Sequence, residues 1–178
     1  MGCYELFTIL TVMRTGAVIP AAPGEIGIAD RVWTMPAARM KGERAKEDRK
    51  DFRVPLSGAA LAVAEEMRHD GTDFLFPGGQ CSKPLSNMAM SKLLHRMDRG
   101  DLTTQGFRSC FKDWAHECTN FRRAVIEMAL VNSIDSKVEA AYRRGELFEK
   151  RRQLMEVWAQ FATSLTNSAA KAKVNQTD

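Results

Sequence analysis

Histidine is scarce in this chain, and the residue pairings that hold metals are missing from it. The 178 residues include three histidines and four cysteines, and no two cysteines form a Cys-x-x-Cys pair. No cluster of carboxylates or histidines stands at the spacing of metal ligands. The sequence therefore predicts neither a metal site nor a cofactor. It predicts free thiols, as are normal in a reducing compartment.

Long apolar runs are also missing. No segment has the length and composition of a signal peptide or of a membrane-spanning helix. Together with the free thiols, this predicts a cytoplasmic protein without a membrane partner. Hydrophobic residues still make up 44% of the chain, which is sufficient for the core of one domain.

Charge is only mildly one-sided. Lysine and arginine number 26 against 22 acidic residues, for a net charge of +4 and a pI near 9.0. Such an excess favours an anionic partner, and on charge alone nucleic acid is one candidate among several.

Apolar periodicity predicts an α+β fold that is predominantly α, with a small antiparallel sheet. Residues 31–35 and 52–56 read as two strands of a hairpin, and the polar stretch 41–51 forms its extended tip. Residues 74–76 are predicted to form a third short strand, ended by the Pro-Gly-Gly that follows.

Helices are predicted on both sides of this hairpin. An N-terminal helix leads to Arg14, and Ser57 caps a helix that runs to about residue 68. Ser86 is expected to cap the next helix, another begins near Thr104, and a further one covers residues 122–130. The apolar faces expected on three of them are Met90, Leu93, Leu94 and Met97; Phe107, Phe111, Trp114 and Cys118; and Leu154, Val157, Trp158, Phe161 and Leu165.

The domain is predicted to cover residues 1–165. Residues 166–178 are polar enough to form a disordered tail.

Four residues far apart in sequence stand in informative contexts. Arg14 lies in Met-Arg-Thr-Gly, Lys41 in Arg-Met-Lys, Arg108 in Gly-Phe-Arg-Ser, and Tyr142 in Ala-Ala-Tyr-Arg-Arg. Their order and contexts resemble the catalytic domain of the tyrosine recombinases, specifically the prophage-type integrases. The resemblance runs over about residues 6–161. Its most specific stretches are Arg-Val-Trp-Thr at 31–34, Val-Pro-Leu-Ser at 54–57, Lys-Pro-Leu-Ser-Asn-Met-Ala-Met at 83–90, and residues 139–152.

The resemblance implies a chemistry for each of these residues. Tyr142 would be the nucleophile that cleaves a DNA strand and holds its end as a 3′-phosphotyrosyl intermediate. Arg14 and Arg108 would stabilise the negative charge that develops on the phosphate oxygens, and Lys41 would protonate the departing 5′ oxygen. The implied partner is double-stranded DNA, and the reaction needs no metal.

Three positions depart from the family pattern. Ala17 stands in place of a supporting glutamate, and Gln105 occupies a position where histidine is expected. Asn132 occupies a position where histidine or sometimes tryptophan is expected. We still count Gln105 and Asn132 as site residues, because their amides can donate hydrogen bonds to a phosphate oxygen. Neither amide can accept the proton of the tyrosine, so slow strand transfer is expected.

The resemblance also implies a chain truncated at its N-terminus, because in the family further helices and a separate DNA-clasping domain come before this region. Three hypotheses follow. The chain is a site-specific recombinase with impaired activity, a catalytically inactive DNA-binding or partner-binding prophage remnant, or a helical interaction protein without a role on DNA.

Other basic residues, in the hairpin and directly after Tyr142, are predicted to contact DNA. The hairpin tip is also rich in carboxylates, so its charges fit either a phosphate-contacting tip or an ordinary soluble loop. The helix after Tyr142 carries an apolar stripe that either packs on its own domain or serves self-association, as in the family. The predicted DNA contacts are Arg39, Arg44, Lys46, Arg143 and Arg144.

Overall fold

The fold is taken from a computed structural model, which describes residues 2–39, 51–69, 71–79, 82–131 and 147–174, with side chains as far as residue 164. Several of the predicted site residues lie outside these ranges. They are Lys41, Arg44, Lys46, Asn132, Tyr142, Arg143 and Arg144.

Helices dominate the described part of the chain, and three short strands form one antiparallel sheet, which confirms the predicted fold class. The elements are α1 (Cys3–Thr11), α2 (Thr15–Val18), β1 (Ile26–Gly27), β2 (Val32–Met35), β3 (Phe52–Pro55), α3 (Gly58–Met67), α4 (Ala89–Arg96), α5 (Thr104–Glu117), α6 (Arg123–Ala129) and α7 (Phe148–Val174). Two single 3₁₀ turns, Pro23–Glu25 and Ala37–Arg39, precede and follow the first two strands.

The predicted hairpin is confirmed. β2 pairs with β3 in antiparallel register, with Trp33 opposite Val54 and Met35 opposite Phe52. Asp51 accepts a hydrogen bond from the backbone N–H of Ala37 at 3.0 Å. This contact fastens the two sides of the hairpin beyond the last paired residues.

The predicted third strand at residues 74–76 is wrong. The third strand is β1, which pairs with β2 through Ile26 opposite Trp33. Leu75 and Phe76 are both fully buried, whereas neighbours in a strand point to opposite faces. Leu75 donates its N–H to the carbonyl of Ala21 at 2.7 Å, so this segment fills the core instead of extending the sheet.

Two helix starts show how local capping decides the boundaries. Thr103 accepts a hydrogen bond from the N–H of Gly106 at 3.0 Å, so α5 begins where predicted. Ser86 does not cap α4. Its hydroxyl accepts from Met88 within a turn, and the helix begins at Ala89.

The apolar faces are only partly as predicted. Four of the predicted residues are exposed: Met97 just after α4, Cys118 just after α5, and Val157 and Phe161 on α7. On α5 the buried residues are Arg108, Phe111 and Ala115, so the inward face is rotated towards the arginine. α7 extends through residues 166–174, part of the segment expected to be disordered, and the disorder of that segment stays a prediction.

Two hydrophobic clusters share α1 between them. Phe7 packs against Trp33 and Phe76, with ring centroids 5.6 and 5.3 Å apart. On the other side, Trp158 of α7 donates its indole N–H to the carbonyl of Ile9 at 2.9 Å. The apolar face of α7 thus packs on its own domain, as one of the two sequence alternatives proposed.

No helix in the described ranges is long and apolar enough to cross a membrane.

Candidate functional site

A cavity of about 500 Å³ opens between the start of α2, the start of α5 and the turn after β2. It brings together all four predicted site residues that the structure describes: Arg14, Arg39, Gln105 and Arg108. The full lining is Met13, Arg14, Thr15, Gly16, Ala17, Met35, Arg39, Asn87, Thr104, Gln105, Arg108 and Val131.

Arg14 enters the cavity because the chain reverses sharply before it. α1 ends at Thr11, and the next residue, Val12, has a left-handed φ of 51°. Arg14 then takes an extended conformation as the N-cap of α2. Its carbonyl accepts from Ala17 at 2.8 Å and Val18 at 3.2 Å. The side chain is half-buried at the cavity wall.

Arg108 is buried at the base of the same cavity, where it joins two helix ends. One Nη donates to the carbonyl of Val12, just after α1, and Nη2 donates to the carbonyl of Leu130, just after α6, at 2.8 Å. Carbonyls at helix C-termini lack partners within the helix and carry partial negative charge. The guanidinium therefore holds α1 and α6 together.

The electrostatics of the cavity favour an anion. Burial and, to a smaller extent, the nearby charge of Arg14 together lower the pKa of Arg108 to about 10. Arg108 is still protonated at neutral pH. Its buried Nε has no hydrogen-bond partner among the described residues. An anion in the cavity would relieve both the repulsion and the loss of solvation.

Gln105 lies one turn before Arg108 on α5 and is exposed at the cavity wall. Ala17 is buried in the wall near Arg14. The side chains at these two positions can supply an amide and a methyl group. Neither can accept or release a proton at neutral pH.

Arg39 reaches the cavity with a carboxylate behind it. Glu25 accepts from Arg39 Nη1 at 2.8 Å and pairs its other oxygen with Nη2, and it also accepts from the indole of Trp33 at 2.9 Å. Glu25 is not among the site residues that the sequence motifs predict. Its local sequence, Pro-Gly-Glu in a 3₁₀ turn, gives no sign of a functional role.

The three histidines do not contribute to this cavity. His69, His95 and His116 are exposed and outside its lining. In the ranges that the structure describes, no group of three His, Cys, Asp or Glu residues could hold a metal ion.

The chain has two tyrosines, and the structure places one of them in the core. Tyr4 is 5% exposed and lies edge-on against Phe76. Burial raises the pKa of Tyr4 to about 12. Tyr4 is therefore a core residue, and the other tyrosine, Tyr142, lies outside the described residues.

The chain is similar to integrases encoded by prophages. It is 34% identical over 161 residues to the prophage integrase IntA of Escherichia coli K12, an alignment that covers 88% of the chain. It is 28% identical over 160 residues to the prophage integrase IntZ of the same organism, again over 88% of the chain. It spans only 37% and 38% of these relatives. No family model and no solved structure matches the chain.

Proposed function

We propose that this chain is the catalytic portion of a site-specific recombinase of the tyrosine type, which cleaves and rejoins DNA through a 3′-phosphotyrosyl intermediate. One observation carries the proposal. In a chain similar to prophage integrases, Arg14 lines one cavity together with Gln105 and Arg108, although Arg14 is far from the other two in sequence.

Arg14 and Arg108 are suited to a phosphate group. Arg108 uses one N–H of each Nη for a carbonyl, so the second hydrogen of each Nη and the Nε–H remain for another acceptor. Two guanidiniums in a cavity of low dielectric stabilise the extra negative charge of the transition state at phosphorus. Gln105 would add an amide N–H to the same oxygens.

The residues proposed for bond making and proton transfer lie outside the described ranges, but their positions in sequence support the assignment. Lys41 follows Arg39 by two residues, and Asn132 directly follows Val131, and both Arg39 and Val131 line the cavity. Tyr142, the proposed nucleophile, is eleven residues after Val131. Lys41 would protonate the departing 5′ oxygen.

Slow turnover is part of the proposal. A positioned acid or base typically contributes on the order of a hundredfold to ten-thousandfold in rate, and neither Gln105 nor Asn132 can act as one. These residues, with Ala17 in the cavity wall, favour a second candidate function: a DNA-binding or partner-binding prophage remnant without turnover.

Two further features belong to the same proposal. A recombinase acting on DNA in a bacterial cell would work in the cytoplasm. Self-association through α7 would require its outward residues, such as Val157 and Phe161, because its inward face is already packed.

A nicked suicide DNA substrate tests the proposal. Cleavage releases a short fragment that diffuses away, so a covalent protein–DNA adduct accumulates and is visible as a shifted band on a denaturing gel. We expect a slow adduct with the natural chain and none with Tyr142→Phe, which should bind DNA equally well. DNA binding without an adduct would favour the second candidate. An adduct that persists in Tyr142→Phe would disprove the assignment of the nucleophile.

Restoring the missing imidazoles separates a slow enzyme from an inactive one. The double replacement Gln105→His and Asn132→His should raise the yield of adduct, because imidazole can both accept the tyrosine proton and carry charge beside the phosphate. Adding Ala17→Glu should give a non-additive gain, since all three changes act on one site. An unchanged yield would show that proton transfer does not limit the reaction.

A further inference from the structure

We propose that Glu25 is a positioning residue that holds Arg39 as a third anion-binding guanidinium of the cavity. The identity of the anion, a DNA phosphate, rests on the proposed function. The positioning itself rests on the contacts among Glu25, Arg39 and Trp33.

The hydrogen bonds leave Arg39 with donors to spare. Glu25 engages Nη1 and Nη2 with its two oxygens, in the parallel arrangement typical of arginine and carboxylate. The guanidinium keeps its Nε–H and one hydrogen on each Nη for another acceptor. Because Arg39 lines the cavity, an anion there is within reach of these donors.

Glu25 is in turn held by the core. Trp33, which donates to Glu25, is completely buried in β2 and packs against Phe7. Glu25 itself directly precedes β1, whose first residue Ile26 pairs with Trp33. The orientation of Arg39 is thus fixed through a side chain that cannot move without disturbing the sheet, as expected of a supporting residue around a binding site.

The charge of Glu25 serves the same end. Arg14 and Arg108 already repel each other, and a third free guanidinium would add to that repulsion. Among the described residues, none in the lining is a carboxylate, but Glu25 stands immediately behind Arg39 and neutralises it. The pair therefore offers directed N–H groups without raising the net charge of the cavity.

A double-mutant cycle tests this proposal. Glu25→Asp keeps the charge but is one methylene too short to contact Arg39 and Trp33 together, and Arg39→Lys keeps the charge but loses the fork. Each should weaken the affinity for a short DNA duplex about tenfold at fixed salt, the loss expected for one charge-assisted hydrogen bond. The double variant should be no weaker than the single ones. Losses that multiply to about a hundredfold would overturn the proposal.

Controls separate positioning from folding. Thermal melting should show folded protein in all three variants. Arg99 and Asp101 form an exposed pair of the same residue types away from the cavity, with hydrogen bonds of 3.0 and 2.9 Å. Arg99→Lys and Asp101→Glu should leave DNA affinity unchanged. If Arg99→Lys or Asp101→Glu lowered DNA affinity as much as Glu25→Asp does, the proposal would be overturned. Altering any ion pair would then have the same effect, wherever the pair lies.

A second probe distinguishes the two proposals from each other. Inorganic phosphate should raise the melting temperature of the natural chain, and the rise should shrink to the same extent in Glu25→Asp, Arg39→Lys and the double variant. If the phosphate-induced rise shrinks equally in the three variants but the chain binds no DNA, the proposed function is refuted and the positioning role is supported. If the chain binds DNA and Arg14→Ala weakens that binding, but the affinity losses of Glu25→Asp and Arg39→Lys are additive, the positioning role alone is refuted.

Discussion

Two groups of arginines in this protein do opposite things with the same functional group. Arg14, Arg39 and Arg108 surround an open cavity. The second group surrounds the ring of Phe148 at the start of α7. The guanidinium carbons of Arg53, Arg152 and Arg151 lie 4.3, 4.9 and 5.5 Å from that ring's centroid.

The Phe148 group commits its arginines to the protein itself. Arg151 is 1% exposed, donates to the carbonyl of Arg53 at 2.9 Å, and lies 4.7 Å from the ring centroid of Phe52. Arg152 donates to the carbonyls of Asp30 and Arg31 at 3.1 and 3.4 Å. These contacts fasten the first turn of α7 to the sheet.

Arg108 combines both behaviours. It is as buried as a structural arginine and ties two helix ends, yet it also borders the cavity. The comparison teaches that the number of arginines does not define a ligand site. What defines it is whether donors remain after the protein's own acceptors are satisfied, and whether open space lies in front of them.

The largest expected effect is a loss of stability when the buried arginine of either group, Arg108 or Arg151, is replaced. Arg108→Ala and Arg151→Ala should each lower the free energy of unfolding by about 3 kcal/mol. The first removes the donor to the carbonyls of Val12 and Leu130, and the second removes the donor to the carbonyl of Arg53. Denaturant unfolding measures this loss. Equal losses would show that both arginines are structural.

The lysine variants then sharpen the difference between the two sites. Arg108→Lys should weaken DNA binding even under conditions where the protein is folded, whereas Arg151→Lys should not. If both variants weakened binding equally, the Phe148 group would also have to contact DNA.

A smaller effect is expected at a less buried member of each group, Arg14 at the cavity and Arg53 at Phe148. Arg14→Ala should weaken the affinity for a DNA duplex about tenfold and make it less dependent on salt, because one phosphate contact is lost. Arg53→Ala, at the Phe148 group, should change neither. Fluorescence anisotropy across a salt series measures both quantities. An unchanged salt dependence in Arg14→Ala would contradict a phosphate contact at that residue.

The ring of Phe148, at the centre of the second group, is expected to contribute less to stability than the buried arginines do. Phe148→Leu keeps most of the apolar volume but removes the ring face, and it should cost about 1 kcal/mol of stability at this partly exposed cluster. DNA affinity should stay the same. Phe148→Tyr, which keeps a ring face, is the matched control and should retain most of the stability.

The smallest effect concerns the cavity wall. Val131 has a φ of 55°, a left-handed conformation that a β-branched residue adopts only under strain. Val131→Gly should relieve that strain but loses packing and gains freedom in the unfolded chain, so we expect a net change within about 0.5 kcal/mol. A large loss would show that the packing of the Val131 side chain outweighs the strain of its backbone.

Local sequence patterns predicted the elements that depend on local chemistry. The hairpin followed from its β-branched and aromatic residues, and α3 followed from the cap at Ser57, whose hydroxyl accepts from the N–H of Ala60. The third strand did not, because β1 is only two residues long and gains its place by pairing with β2. The exposure of Met97 and Val157 depends on which neighbouring helix is present, which periodicity cannot show.

The site was predictable to the extent that it is a set of motifs. Arg14, Gln105 and Arg108 were predicted from their contexts and line one cavity, while their roles in it stay a prediction. The double tie made by Arg108 was not predictable, since its acceptors are backbone carbonyls 96 and 22 residues away. Glu25 was missed for the same reason, because its partners meet it only in the folded sheet.

The burial of Tyr4 has a consequence for optical spectroscopy. A phenol with a pKa of about 12 stays protonated across the range in which an ordinary tyrosine ionises, and it is shielded from reagents that nitrate or iodinate exposed rings. With two tyrosines in the chain, phenolate absorbance that develops well below the pKa of Tyr4 in the folded protein would come mainly from Tyr142. The protein thus carries a built-in reporter, and adding DNA during such a titration would show directly how a bound phosphate changes the acidity of that one hydroxyl.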